Sequence, residues 1–308
     1  MKTTFAKAST MERGLAQQRP QPQPLNPGNR SIGNSVYFPQ KIDWGKPHIY
    51  TLAYPSTTII LPANFALTAI TKKPLTAEST GLSTYDPHRV QIKINNNNFI
   101  NDAADFDLFC MAGKPGNQLP KPYLMSMGSQ IEVTWEGSLW AEITTPVICF
   151  HGYFVDLLDQ KGNVDNNQWK DVQNFARPAL MVSKFTFTSN NQQIVQQLKV
   201  DSSYDFEIHR LAALVKTYTF GADYTAAIVA QSSWNFVANL RVQSQYLYSD
   251  SDSVQASLWW GDREFPAEVA KPLIAIRGSY IDLRLTNTAA SAGVPVVITM
   301  ALFGRQIA

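Results

Sequence analysis

The chain has 308 residues, of which 44% are hydrophobic and only 16% charged, and its net charge is +2. That length holds one large domain or two of ordinary size, each able to bury a core. The near-neutral balance excludes a global basic field that would steer the chain to nucleic acid, and no apolar run approaches the ~20 residues of a membrane-spanning helix.

Residues 1–36 read as an arm. Up to Lys41 it carries Lys2, Lys7, Arg13, Arg19, Arg30 and Lys41 against the single acid Glu12. Ser9 and Glu12 spell a capping box ahead of "MERGLAQQ", so a short helix is expected there, stopped at Arg19-Pro20. The following "RPQPQPLNPGNRSIGNS" has alternating prolines, which enforce extended backbone and remove ladder donors. Such a stretch builds no core; it is either disordered or laid across a neighbouring surface. No apolar signal-peptide core precedes it, and the expectation is a soluble chain made in a cytoplasm.

From Tyr37 onward, short alternating runs are broken by turn residues, the pattern of an all-β domain. "RVQIKI" turns Val90, Ile92 and Ile94 to one face, and "SQIEVTW" does the same with Ile131, Val133 and Trp135. "INNNN" (residues 94–98) is a turn, where asparagine tolerates left-handed backbone. "TPVICFHGYFVD" closes this half. Periodicity breaks at residues 159–181, which include a possible short helix over residues 169–175 and end near Pro178. This is the expected connector.

The second half repeats the plan. "KPYLMSMGSQIEVTW" (residues 121–135) returns 150 positions later as "KPLIAIRGSYIDLRL" (residues 271–285). "KFTFT" parallels "IYTLA", and both precede a longer apolar stretch. "DLFCMAG" parallels "ASLWWG", and the closing "PVICFHG" parallels "PVVITMALFG". Preserved order of separate elements points to tandem duplication. The expected fold is all-β: two tandem jelly-roll-like sandwiches, residues 37–158 and 182–308, behind a proline-rich arm. Gly128 and Gly278 should then occupy equivalent turns. Immunoglobulin-like sandwiches are the structural alternative, without the Cys…Trp…Cys spacing that supports them.

Chemistry is sparse. His48, His88, His151 and His209 make no metal-ligand spacing with one another, and HExxH, CxxC, GxSxG, GxxxxGK[ST] and GxGxxG are all missing. No catalytic, cofactor-binding or metal-binding residue is assigned, and the chain is not expected to be an enzyme. Cys110 and Cys149 sit in apolar runs and read as buried thiols, the alternative being a disulfide. Asp250 and Asp252 in "YSDSDS" offer too few oxygens for a hard cation. Asn29 in "NRS" matches a glycosylation acceptor but lacks a secretory signal. Trp234, Phe236, Trp259 and Trp260 suit either a core or a sugar-stacking platform.

The paired Lys-Pro…Gly-Ser-x-Ile phrases and the closing strands "PVICFHGYF" and "PVVITMALFG" carry a resemblance. The plan resembles the double jelly-roll major capsid proteins of tailless icosahedral viruses, a lineage that includes adenovirus and several membrane-containing bacteriophages. The resemblance covers about residues 37–308 and is architectural. It implies a virion structural protein that self-assembles as a homotrimer within a shell, beside other virion proteins. The basic arm would face nucleic acid or an internal membrane. Aromatic side chains around Trp234 or Trp259 would be buried between subunits. Short loops imply a small, smooth capsomer, or else a vertex, collar or cement protein. A carbohydrate-binding host-attachment protein is the alternative from another class.

Overall fold

The structure, a computed structural model, describes residues 41–72, 89–105, 108, 118–136, 146–159, 161–165, 177–219, 225–243, 245–247, 254–262, 265–289 and 296–307. The expectations for the arm, His88, Cys110, the helix over residues 169–175 and the Asp250/Asp252 loop lie outside these residues. The strands belong to one compact unit, Val36–Ala308.

In chain order the first nine strands are β1 (Lys41–Ala53), β2 (Thr58–Ile60), β3 (Phe65–Lys72), β4 (Arg89–Ile94), β5 (Asn97–Asn98), β6 (Ala104–Asp105), β7 (Gln118–Met125), β8 (Gln130–Glu136) and β9 (Val147–Leu158). They form two sheets, one ordered β1-β9-β3-β7 and the other β2-β8-β4-β5, with β6 also on β4. The remaining strands are β10 (Arg177–Phe187), β11 (Gln193–Lys199), β12 (Asp205–Thr219), β13 (Thr225–Ile228), β14 (Phe236–Val242), β15 (Gln245–Tyr246), β16 (Val254–Gln255), β17 (Gly261–Asp262), β18 (Ala267–Ala275), β19 (Tyr280–Asn287) and β20 (Val296–Ile307). One sheet runs β10-β20-β12, with β18, β17 and β13 along the far edge of β12; the other runs β11-β19-β14-β15, with β16 also on β14.

These orders are the same order twice. First and last strands lie side by side (β1 with β9, β10 with β20), and the second pairs with the last but one (β2 with β8, β11 with β19). The chain is therefore all-β, two jelly-roll-like sandwiches in tandem. Period-two alternation builds each core. Val90, Ile92, Ile94, Ile131 and Val133 face Phe65, Leu67, Ile148 and Phe150 in the first, and Ile281, Leu283 and Leu285 face Phe206, Ile208 and Met300 in the second.

The likeness extends to irregularities. β3 bulges between Leu67 and Ala69 against β9, with Leu67 opposite Gly152. β12 bulges between Ile208 and Arg210 against β20, with Ile208 opposite Gly304. Gly128 and Gly278 both adopt left-handed backbone, φ +82° and +73°, in the turns β7–β8 and β18–β19. Asn95 and Asn96 are left-handed in the turn after β4.

Three expectations need correction. β10 begins at Arg177, inside the span read as a connector, and Pro178 pairs with Arg305 rather than stopping a helix. A proline is tolerated there because β10 is the edge of its sheet. The bulge-to-glycine register also places Ile49 opposite Leu180 across the two halves, so "IYTLA" corresponds to residues 180–184 and not to "KFTFT". Finally, the closing strands "PVICFHG" and "PVVITMALFG" read in sequence as ending at their glycines; they correspond through Gly152 and Gly304, but both run on past the glycine.

Candidate functional site

The feature that distinguishes this molecule is the seam between its sandwiches. On β12, Phe206, Ile208, Leu211, Ala213 and Val215 fill the second core, so the alternate residues Ala212 and Leu214 face the other way. With Leu180 and Val182 of β10 and Ala301 and Phe303 of β20, they join the cluster that includes the first core, Ile100, Ala104 and Leu108. The second sandwich therefore presents a second apolar face, and the first sandwich covers it.

The edge of β10 is also closed. Leu180 N–H donates to Phe99 O at 2.8 Å, and Asn101 N–H donates to Leu180 O at 3.2 Å. The Asn101 side-chain amide then takes both backbone groups of Val182, accepting from its N–H at 2.7 Å and donating to its O at 3.3 Å. Residues 99–101 thus act as a short extra strand, covering an edge that would otherwise recruit another chain.

Two charged stations sit on this seam. At one, Asp105 of β6 lies 3.4 Å from Lys216 Nζ of β12, with side chains 3% and 1% exposed, and Thr299 of β20 donates its hydroxyl to the same carboxylate. At the other, Arg305 donates to Glu207, and His209 Nε2 lies 3.2 Å from the Glu207 carboxylate. Lys121 of β7 feels this group electrostatically from the first sandwich. Burial opposes the Glu207 charge, but the hydrogen bond and charge of Arg305, with His209 beside it, hold the carboxyl below its usual range. Burial also pushes the His209 imidazole below its ordinary value; Glu207 pulls it up, while Arg305 and Lys121 push it further down.

That second station predicts a pH dependence. The unfolded chain binds the His209 proton more readily than the folded chain, so stability is complete above the ordinary imidazole value of about 6.5 and falls as pH drops below it. Glu207 adds loss in the same direction as pH falls through its lowered folded value. Thermal melts from pH 7.5 to 5 should show a falling midpoint, and His209→Gln should flatten the slope below about pH 6.5. Equal slopes in the two proteins would remove His209 as the cause.

A cavity of about 330 Å³ opens at the end of the seam, lined by Asn98, Asn101, Lys199, Asp201, Tyr204 and Gln306 among others. Gln306 Nε2 bridges it, donating to Asn98 O at 3.4 Å.

The other singled-out residues fall into place around this frame. Trp234, Phe236, Trp259 and Trp260 are all buried in the second core, with Trp259 and Trp260 ring centroids 4.8 Å apart. They supply neither a sugar platform nor a surface between subunits, because their own sandwich already encloses them. His48 stacks on Phe154 at 4.9 Å. His151 Nε2 lies 2.6 Å from Thr71 Oγ1, and burial lowers its pKa. Cys149 is half-buried on β9. Among the described residues no three His, Cys, Asp or Glu side chains gather where a metal could sit, and no helix is long and apolar enough to cross a membrane.

The seam residues Asp105, Lys216, Thr299 and Asn101 were not singled out from sequence. One signal was present: Lys216 interrupts "LAALVKTYT", and a lone charge in an apolar strand calls for a buried partner. Nothing local names Asp105 as that partner.

No family model matches the chain, and no curated protein does. Among solved structures it is similar to a conserved protein of unknown function from Pseudomonas aeruginosa PAO1 at 8% identity, over 89% of this chain and 86% of that one, with a TM-score of 0.19. It is also similar to a chain of Sulfolobus Turreted Icosahedral Virus at 9% identity, over 91% and 100%, with a TM-score of 0.18. A third is the infectious bursal disease virus VP2 subviral particle, at 8% identity over 89% and 79%, with a TM-score of 0.18. Scores this low carry no argument, and the fold rests on the strand order itself.

Proposed function

We propose that this chain is a virion structural protein, a major capsid protein that assembles as trimers of two-sandwich subunits into a shell. The observation that carries the reading is the seam. Two sandwiches of one strand order are joined side by side through an apolar face, a closed strand edge and buried charges, so each chain is a rigid pair of similar wedges. Three such chains around a threefold axis place six wedges about one centre, and closed symmetry leaves no growing edge. The polar, weakly charged outer faces suit a protein surrounded by copies of itself. On this reading the work is assembly and involves no catalysis, and the location is the virion. The enclosure of Trp234, Trp259 and Trp260 in the second core removes the sugar platform those residues would have offered.

Size exclusion with light scattering on the full chain tests this directly. The expected species has three times the chain mass of 34.3 kDa and associates further into particles. A strict monomer at high concentration would indicate an isolated binding module, and a pentamer or dodecamer a vertex or collar protein.

The arm enters the same proposal. Its prolines deny it a core, and its basic residues suit contact with nucleic acid or an acidic internal membrane inside the shell. Deleting residues 1–35 should leave the thermal midpoint unchanged and reduce particle formation. A large fall in the midpoint would make the arm part of the fold.

A further inference from the structure

The internal seam specifies what the next contact looks like, because each sandwich carries a copy of the parts. One side of the seam is a sheet face, built from Leu180 and Val182 of β10, Ala212 of β12, and Phe303 of β20. Counting from the matched bulges and glycines, the same face of the first sandwich consists of Ile49 and Thr51 of β1, Thr71 of β3, and His151 of β9. The other side of the seam includes Leu108, which follows β6. Asp105 pairs with Arg89 as Gln255 pairs with Val237. Gln118 then pairs with Ala69, on the far side of the β3 bulge, as Glu268 pairs with Arg210 on the far side of the β12 bulge. The spacing from β6 to β7 therefore equals that from β16 to β18, and the counterpart of Leu108 is Leu258.

The two leucines differ sharply in environment. Leu108 is 0% exposed and belongs to the cluster that fills the seam, whereas Leu258 is 77% exposed. The two faces differ in the same sense: Leu180 is buried at 2%, and its counterpart Ile49 is 51% exposed. Each chain thus uses one face and one inserting edge internally; of the second pair, the Leu258 edge and the Ile49–Thr51 side of the face stay exposed, while Thr71 on the same face is already buried. Phe265, 74% exposed in the same connection between β16 and β18, enlarges the unused edge.

We propose that the Leu258 edge of one copy seats on the Ile49–His151 face of another, repeating the internal seam between chains. The occupant is a second copy of this chain, because among the described residues the edge that corresponds in strand order to the one already covering the equivalent face is its own duplicate. The receiving face is more polar than its internal counterpart, with Thr51, Thr71 and His151 where Val182, Ala212 and Phe303 stand. That difference fits a contact formed after folding, between surfaces that must first be soluble. Face and edge are different patches, so the contact is heterologous and must close into a ring or grow without limit.

The inference rests on the assembly reading above, and the test separates the two. Full-length wild type, Ile49→Lys, Leu258→Glu and the double variant are compared by light scattering and thermal melt. Both positions are exposed in the single chain, so each variant should keep one cooperative melt, lowered only by the stabilisation that association gives the wild type. Each single variant should shift the mass from three chains to one, and the double variant should restore the trimer, because the new charges attract across the same contact. A monomeric wild type would overturn the assembly reading itself. A trimeric wild type whose single variants both stay trimeric would leave that reading standing and overturn this contact. Release by Ile49→Lys alone, without rescue, would assign the face to another occupant, such as the arm, and overturn the pairing with Leu258.

Discussion

Asp105→Ala should cost about 3–5 kcal/mol of stability, the range for removing one partner of a buried ion pair. The loss comes less from the attraction forgone than from what remains. Lys216, 1% exposed, would keep a charge with its carboxylate removed, and the Thr299 hydroxyl would lose the acceptor it donates to. Lys216→Met should be milder in charge terms, because the surviving Asp105 still accepts from Thr299. The double replacement Asp105→Leu with Lys216→Met should recover much of the single-variant loss, since apolar pairs of similar volume often match or exceed a buried ion pair. Denaturant unfolding of the four proteins gives the coupling energy as a double-mutant cycle. A single-variant cost below about 1 kcal/mol, the range of exposed pairs, would mean that water reaches the station and the seam is not dry. The same measurement bears on cooperativity. If the sandwiches are one unit through this seam, Asp105→Ala should keep a single transition at lower denaturant; two transitions would show that the seam is weaker than either core.

The sheets were legible in the sequence wherever one face is buried and the other is wet. "RVQIKI" and "YIDLRL" alternate strictly, and their inward residues are the ones expected. The duplication is legible in the stretch from β7 through β8, where a constant offset of 150 carries the Lys-Pro phrases into matching strands and the Gly-Ser phrases into matching turns. It was misread where spacing changes. The first strands were matched through "KFTFT" because local texture says nothing about register, and register is set by the bulge and glycine that face each other across β12 and β20. The connector reads too long because a proline at position 178 signals a stop, and its place on an edge strand is invisible without knowing which strand is the edge. The seam was the least legible. Leu214, Ala301 and Phe303 look like core residues of their own sandwich, and only the sheet geometry turns them outward. Asp105 and Lys216 lie 111 residues apart, so no window of sequence contains both. Trp234, Trp259 and Trp260 are the reverse case: their chemistry suits a platform, and their burial in the second core decides against it.

Gly304→Ala and Gly152→Ala should be among the most damaging methyl-sized changes at the described glycines, and for the same reason. A Cβ at Gly304 would stand 2.1 Å from Glu207 O and 2.8 Å from the Phe206 ring, and one at Gly152 would stand 2.1 Å from Ala66 O and 2.5 Å from the Phe65 ring. In both cases the obstacle includes backbone of the paired strand just before its bulge, which cannot rotate away as a side chain can. Overpacking a core costs about 1–3 kcal/mol when side chains give way, so these two should reach or pass the top of that range. Gly128→Ala and Gly278→Ala provide the contrast. A Cβ there meets nothing within 4 Å, and the cost is left-handed backbone alone, about 1–2 kcal/mol. Urea midpoints of the four variants should therefore fall into two pairs by site type and not by sandwich. The two core glycines should still differ in one consequence. Displacing Glu207 disturbs the carboxylate that Arg305 and His209 share at the seam, whereas displacing Ala66 does not touch that station. Gly304→Ala should then alter the pH dependence of the melt as well as its midpoint, and Gly152→Ala should lower the midpoint equally at every pH. A pH profile for Gly304→Ala parallel to wild type would separate the bulge from the seam.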